Sequence, residues 1–112
     1  METQPREIRN YLTLYGINPF DEWLKTLRDR KAKAKIRARL DRVEDGNLGD
    51  CKSVAEGVLE LRINYGPGYR IYFAQEGTII ILLLCGGDKS TQEQDISKAK
   101  EYLQDYRSRE DA

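Results

Sequence analysis

The sequence predicts an α+β domain with helices packed on one face of a largely antiparallel sheet, and three observations carry that prediction. Residues 57–73 alternate apolar and polar positions on both sides of Gly66-Pro67-Gly68, the pattern of two half-buried strands joined by a turn. Residues 78–85, Thr-Ile-Ile-Ile-Leu-Leu-Leu-Cys, are almost continuously apolar, as a central strand covered on both sides would be. Three further stretches carry apolar residues at helical spacing behind residues suited to cap a helix. The resulting order, β-α-α-β-β-β-α, is that of a two-layer domain whose second sheet face is open to water or a ligand.

In chain order, residues 6–15 place Ile8, Leu12 and Leu14 in one parity and Tyr11 and Tyr15 in the other, which predicts a first strand at a sheet edge. Gly16 ends it. Asn18-Pro19 then supplies an N-cap and a first-turn proline, with Asp21 and Glu22 where the helix dipole favours negative charge. Phe20, Trp23, Leu24 and Leu27 form the apolar face of that helix. A second helix spans residues 30–45 on Ala32, Ile36, Leu40 and Val43, with Gly46 as its C-terminal cap. Residues 52–55 read as a short strand or extended lead-in to the hairpin. After the central strand, Ser90 to Glu93 and Thr91 to Gln94 form overlapping capping boxes for a last helix striped by Ile96, Ala99, Leu103 and Tyr106. Residues 107–112 are polar and read as a frayed tail.

At 112 residues the chain is expected to be one domain, residues 1–112. Its 19 basic and 19 acidic side chains cancel, so bulk charge does not argue for a nucleic-acid partner. With no histidine and two cysteines outside any CxxC spacing, zinc ligation is not expected. Cys51 and Cys85 read as reduced thiols of a cytoplasmic protein. No leader is expected, and the longest apolar run is far below the roughly 20 residues that cross a bilayer.

The informative charge is local. Side chains alternate across a strand, so Arg62 on the first hairpin strand and Arg70 and Tyr72 on the second lie opposite the apolar positions, on a shared face. Two guanidinium groups and a phenol there make an anion-binding surface, although either arginine could instead form a cross-strand pair with Glu60. The second helix carries Lys33, Lys35, Arg37, Arg39 and Arg42, a solubilising face or a phosphate-binding ridge.

Several motifs in order resemble a known family: Phe20-x-x-Trp23-Leu24, Gly46-Asn47-x-Gly49-Asp50, Glu60-Leu61-Arg62-Ile63, residues 66–73 as Gly-Pro-Gly-Tyr-Arg-Ile-Tyr-Phe, and Gly86-Gly87-Asp88-Lys89-Ser90-x-Gln92-x-x-Asp95-Ile96. They are similar to the addiction-module killer proteins, the HigB-like branch of the RelE/ParE toxin superfamily. The resemblance implies the compact RelE-like fold and the toxin half of a type II toxin-antitoxin pair. Its partner would be a cognate antitoxin, a DNA-binding helix-turn-helix protein. It implies a ribosome-dependent endoribonuclease that cleaves messenger RNA and inhibits translation, with no cofactor or metal. ParE-like relatives of the same fold inhibit DNA gyrase without catalysis, and a non-toxic module that only binds its antitoxin is a third reading.

On the nuclease reading, Arg70 falls where RelE-like enzymes carry an arginine at the scissile phosphate, with Arg62 a second basic position beside it. Lys89 falls in a region of basic active-site residues, and Tyr72 would orient the substrate or take part in proton transfer. The basic second helix would dock on ribosomal RNA. The last helix has Asp95-Ile96 where the best-known RelE nucleases carry a tyrosine, which leaves the proton-transfer group open between Lys89, Tyr72, Asp88 and Glu60.

Overall fold

Five strands and three helices form from these segments in a computed structural model that describes residues 4–110. They are β1 (Glu7–Asn10), α1 (Pro19–Thr26), α2 (Arg30–Glu44), β2 (Cys51–Ser53), β3 (Leu59–Ile63), β4 (Tyr69–Glu76), β5 (Ile80–Asp88) and α3 (Gln92–Glu110). The sheet order is β1-β5-β4-β3-β2. β1 runs parallel to β5 and every other neighbouring pair is antiparallel. The α+β class, the edge position of β1 and the central place of the apolar run all agree with the sequence, and the extended lead-in is strand β2, paired with β3.

The layering departs from expectation. α1 and α2 cover one face, packing Phe20, Ile36 and Val43 against Leu61, Ile71, Phe73, Ile81 and Leu83. α3 covers the other face, where Ala99 and Leu103 meet Val58, Tyr72, Ala74, Leu82 and Leu84. The helices therefore do not share one face. Alternate residues of β5 belong to opposite cores, and a strand apolar on both sides needs a layer on each. The face expected to be open is buried under α3 at Tyr72 and Glu60, both fully inaccessible to solvent.

Local corrections follow from hydrogen bonding. β1 ends at Asn10 because the next segment turns on itself: Thr13 N–H donates to the Ile17 carbonyl and Gly16 N–H to that of Thr13. Leu14 and Tyr15 are left exposed. Asn18 caps α1 as expected, its side chain accepting from the Asp21 N–H at 3.1 Å. The cap of the last helical segment lies two residues earlier than expected, where Asp88 and Thr91 form a reciprocal capping box around a single turn of 3₁₀ helix, Lys89–Thr91. α3 continues to Glu110, so the expected frayed tail is shorter. Arg107 reaches Glu76, and Arg109 reaches Asp105 at 2.7 Å and the Leu12 carbonyl at 2.6 Å. Residues 111–112 of that tail lie outside the described residues.

Two glycines let both layers approach β5. A Cβ on Gly86 would overlap the Trp23 ring of α1, and one on Gly87 would overlap the Asp95 carboxylate of α3. Gly86→Ala therefore overpacks the contact and is expected to lower unfolding free energy by about 1–3 kcal/mol in urea titration. Much of that loss should be recovered in the Gly86→Ala/Trp23→Leu double variant, the coupling of a double-mutant cycle.

Candidate functional site

The register of β3 and β4 builds the site. Arg62 lies directly opposite Arg70, and Glu60 opposite Tyr72, so all four side chains emerge on the α3 side of the sheet. Glu60 is their hub. It is fully buried and accepts from Arg62 Nε at 2.9 Å, Gln92 Nε2 at 2.8 Å and the Tyr72 hydroxyl at 3.2 Å. Burial alone would raise its pKa, but these hydrogen bonds and the Arg62 charge outweigh burial and hold the carboxyl below the usual glutamate range. The Tyr72 phenol is pushed well above its ordinary value, first by burial and then by the adjacent Glu60 charge.

Arg70 is held differently. Its side chain is only 9% exposed, yet its Nε lies 3.8 Å from Glu60 Oε1, close enough for an ion pair and too far for a hydrogen bond. That buried Nε has no hydrogen-bond partner among the described residues, and Nη1 reaches the Tyr69 carbonyl at 3.3 Å. Arg70 thus retains donor capacity where an unpaired buried donor is costly. It lines a depression of about 360 Å³ together with Asn64, Tyr65, Gly66, Pro67, Gly68 and Lys89. Gly68, at φ +82°, sits between the two cations: a Cβ there would lie 3.5 Å from Arg70 Nη1 and 3.6 Å from the Lys89 Cβ. With one buried carboxylate facing two guanidinium groups and Lys89 exposed nearby, the cluster has a surplus of positive charge on its solvent side.

The structure thus places Arg70 beside both Arg62 and Lys89, and corrects two other expectations. Tyr72 is buried beneath Glu60 and cannot touch a substrate in this arrangement; it orients the carboxylate. Arg39 is withdrawn from the basic ridge, being only 9% exposed with its guanidinium donating to the carbonyls of Arg62, Leu48 and Asp50. It ties α2 to the end of β3 and to the loop that leads into β2. Lys35, Arg37 and Arg42 are exposed and Lys33 is half-buried. Asp88 accepts from the Ser90 N–H at 2.8 Å and serves as a helix cap. Asp95 turns toward Gly87 and the Thr91 hydroxyl, and burial raises its pKa. Gln92 had gone unassigned: nothing in its spacing marks a helix-start glutamine as a donor to a strand carboxylate.

Fold and site define a small α+β protein with two arginines paired across a hairpin beside a buried glutamate. Residues 22–104 match the model of the phage-derived protein Gp49-like family (DUF891), and the chain belongs to that family, part of the addiction-module toxin group. It is also similar to an uncharacterized protein of Haemophilus influenzae strain Rd, 54% identical over 81 residues that cover 72% of this chain and 82% of the relative. Among the described residues no helix is long and apolar enough to cross a membrane.

Glu60 makes the site an acid-sensitive part of the fold. Its folded pKa lies below that of an unfolded glutamate, about 4.3, so the unfolded chain binds the extra proton. Its stabilisation is complete above that value and is lost as pH falls through the depressed folded pKa. In urea titrations the wild type should lose stability between roughly pH 5 and pH 3 more steeply than Glu60→Gln. Tyr72→Phe, which removes one donor to a charged acceptor at almost constant volume, should cost about 1.5–3 kcal/mol at neutral pH.

Proposed function

We propose that the protein is the toxin of a type II toxin-antitoxin pair, of the RelE/ParE superfamily and HigB-like, acting as an endoribonuclease on ribosome-bound messenger RNA. The observation that carries this reading is Arg70, nine-tenths buried with an unpaired Nε, in a depression shared with Lys89 and one strand from Arg62. Guanidinium groups stay cationic and match the geometry of phosphate oxygens, and a partly dehydrated pair strengthens that attraction.

In the reaction the 2′-hydroxyl oxygen attacks the adjacent phosphorus, the bond to the 5′-oxygen breaks, and the 2′ proton leaves as the 5′-oxygen gains one. Arg70 and Arg62 would hold the non-bridging oxygens and offset the charge that grows on them, with Lys89 beside the departing or attacking oxygen. Glu60 is a poor base here: its pKa is depressed and its oxygens are engaged. It acts as the anchor that points Arg62 and Arg70 outward. The catalytic strength of this site lies in orientation and charge stabilisation. The partners on this reading are a cognate antitoxin, messenger RNA and the ribosome, and the chain works in the cytoplasm.

Arg70→Ala is expected to abolish growth arrest on induction while leaving antitoxin binding and the circular-dichroism spectrum unchanged, and Arg70→Lys should restore little because it lacks the planar fork. Mapping RNA 5′ ends after induction reads the chemistry directly: codon-phased cuts within translated messages support the proposal. Intact messages with accumulated DNA breaks would move the protein to gyrase inhibition, and no arrest at all would leave an antitoxin-binding module.

A further inference from the structure

A second depression, of about 430 Å³, lies between α2 and the β2–β3 edge. Its walls include Lys35, Arg42 and Arg62, with Asp50 as the carboxylate of the lining, and it meets the Arg70–Lys89 depression at Asn64 and Tyr65, which line both. Tyr65 forms the junction. Its hydroxyl donates to Asp29 Oδ2, the cap of α2, at 3.1 Å, and the Lys35 ammonium stands over its ring at 5.1 Å from the centroid. The ring therefore fixes where α2 presents Lys35. Arg39, buried behind the groove, adds positive charge to its floor while its donors are taken by backbone carbonyls. Arg62 is the link in the other direction: it borders the α2 groove, where its carbonyl accepts from Arg39, while its Nε, on the far side of the strand, shares Glu60 with Arg70.

From this continuity we infer that the two depressions form one track for a single-stranded polynucleotide, in which Lys35 and Arg42 grip the phosphates flanking the one held at Arg70, Arg62 and Lys89. The groove of α2 is then a substrate subsite, and the helix does not serve solely as a dock for ribosomal RNA. The inference rests on the RNA-binding half of the proposed function. A strand laid along the track meets cations at both ends and an aromatic ring between them, the combination by which single strands are held without regard to sequence. Overall neutrality is no obstacle, because the attraction depends on cations lining one path.

The test uses the full chain, without ribosomes, and a fluorescein-labelled RNA octamer carrying 2′-O-methyl groups, which blocks attack and separates binding from cleavage. Fluorescence anisotropy should show binding at low salt. Lys35→Gln/Arg42→Gln should weaken it roughly ten-fold and flatten the salt slope by about 1.4, two single-strand phosphate contacts. Arg28→Gln/Lys31→Gln removes the same charge from either side of the Asp29 cap of α2, outside both depressions, and should change affinity less than about two-fold. Arg70→Ala should weaken the octamer as well, since it lies on the same path. Equal losses in both double variants, or no loss in Lys35→Gln/Arg42→Gln, would overturn the track, as would failure of the wild type to bind or indifference to Arg70→Ala. The two proposals fail separately. Codon-phased cleavage in cells with octamer affinity indifferent to Lys35 and Arg42 removes only the track, while intact messages with the expected octamer results remove only the cleavage reading.

Discussion

A carboxylate with no solvent exposure has to be matched by donors and positive charge, and Glu60 obtains them from three different elements. Arg62 comes from its own strand, Tyr72 and Arg70 from β4, and Gln92 from the start of α3. Each partner is in reach only if the β3–β4 register pairs Glu60 with Tyr72 and α3 lies over that face. A slip of one residue in β3 would turn Glu60 into the apolar core of α1 and α2 and bring Leu61 under α3 in its place. The hairpin register, the docking of α3 and the position of the two guanidinium groups are thus consequences of the same buried charge.

The glycine pair on β5 is the complementary constraint. Arg70 pairs with Gly87 across the sheet, so the residue beside the site carries no side chain and α3 can bring Asp95 into that space. On the opposite face Gly86 admits Trp23, which also meets Tyr69 edge-on with ring centroids 6.1 Å apart. The arginine strand is therefore clamped between an aromatic cluster and the helix that supplies Gln92. A rigid support of this kind matters for a guanidinium that carries an unpaired Nε: without it the side chain would relax onto the nearest carbonyl or carboxylate.

What the sequence made legible follows from which signals are local. Alternation at residues 59–73 and the apolar run at 78–85 are read within a few residues, and they placed the hairpin, the central strand and the opposite faces of Ile71 and Arg70 correctly. The same apolar run already required two covering layers, since Leu82 and Leu84 point away from Ile81 and Leu83. Setting all helices on one face ignored that requirement, and the error made Tyr72 look like a surface group. Burial of Arg39 and the Gln92–Glu60 hydrogen bond were not legible: both depend on where a helix docks, and their residue types resemble the solvated side chains around them. β1 was overestimated because Leu12, Leu14 and Tyr15 satisfy an alternation that a four-residue turn at Thr13–Gly16 interrupts.

The chemistry available to the cluster is set by what its groups can exchange. Burial drives the Tyr72 phenol further above neutrality, and its hydrogen-bond partners and the Arg62 charge hold the Glu60 carboxyl below its ordinary range. Neither Glu60 nor Tyr72 exchanges a proton readily at pH 7, and the chain has no histidine to do so. The hydrogen-bonded Glu60 hub is therefore a fixed element that preorganises the arginines around it. Such an element suits a reaction whose barrier falls mainly through alignment and stabilisation of charge on phosphate oxygens. On the proposed reading the ribosome then has a physical part to play, because it would hold the messenger in the in-line geometry that a shallow depression of about 360 Å³ does not enclose by itself.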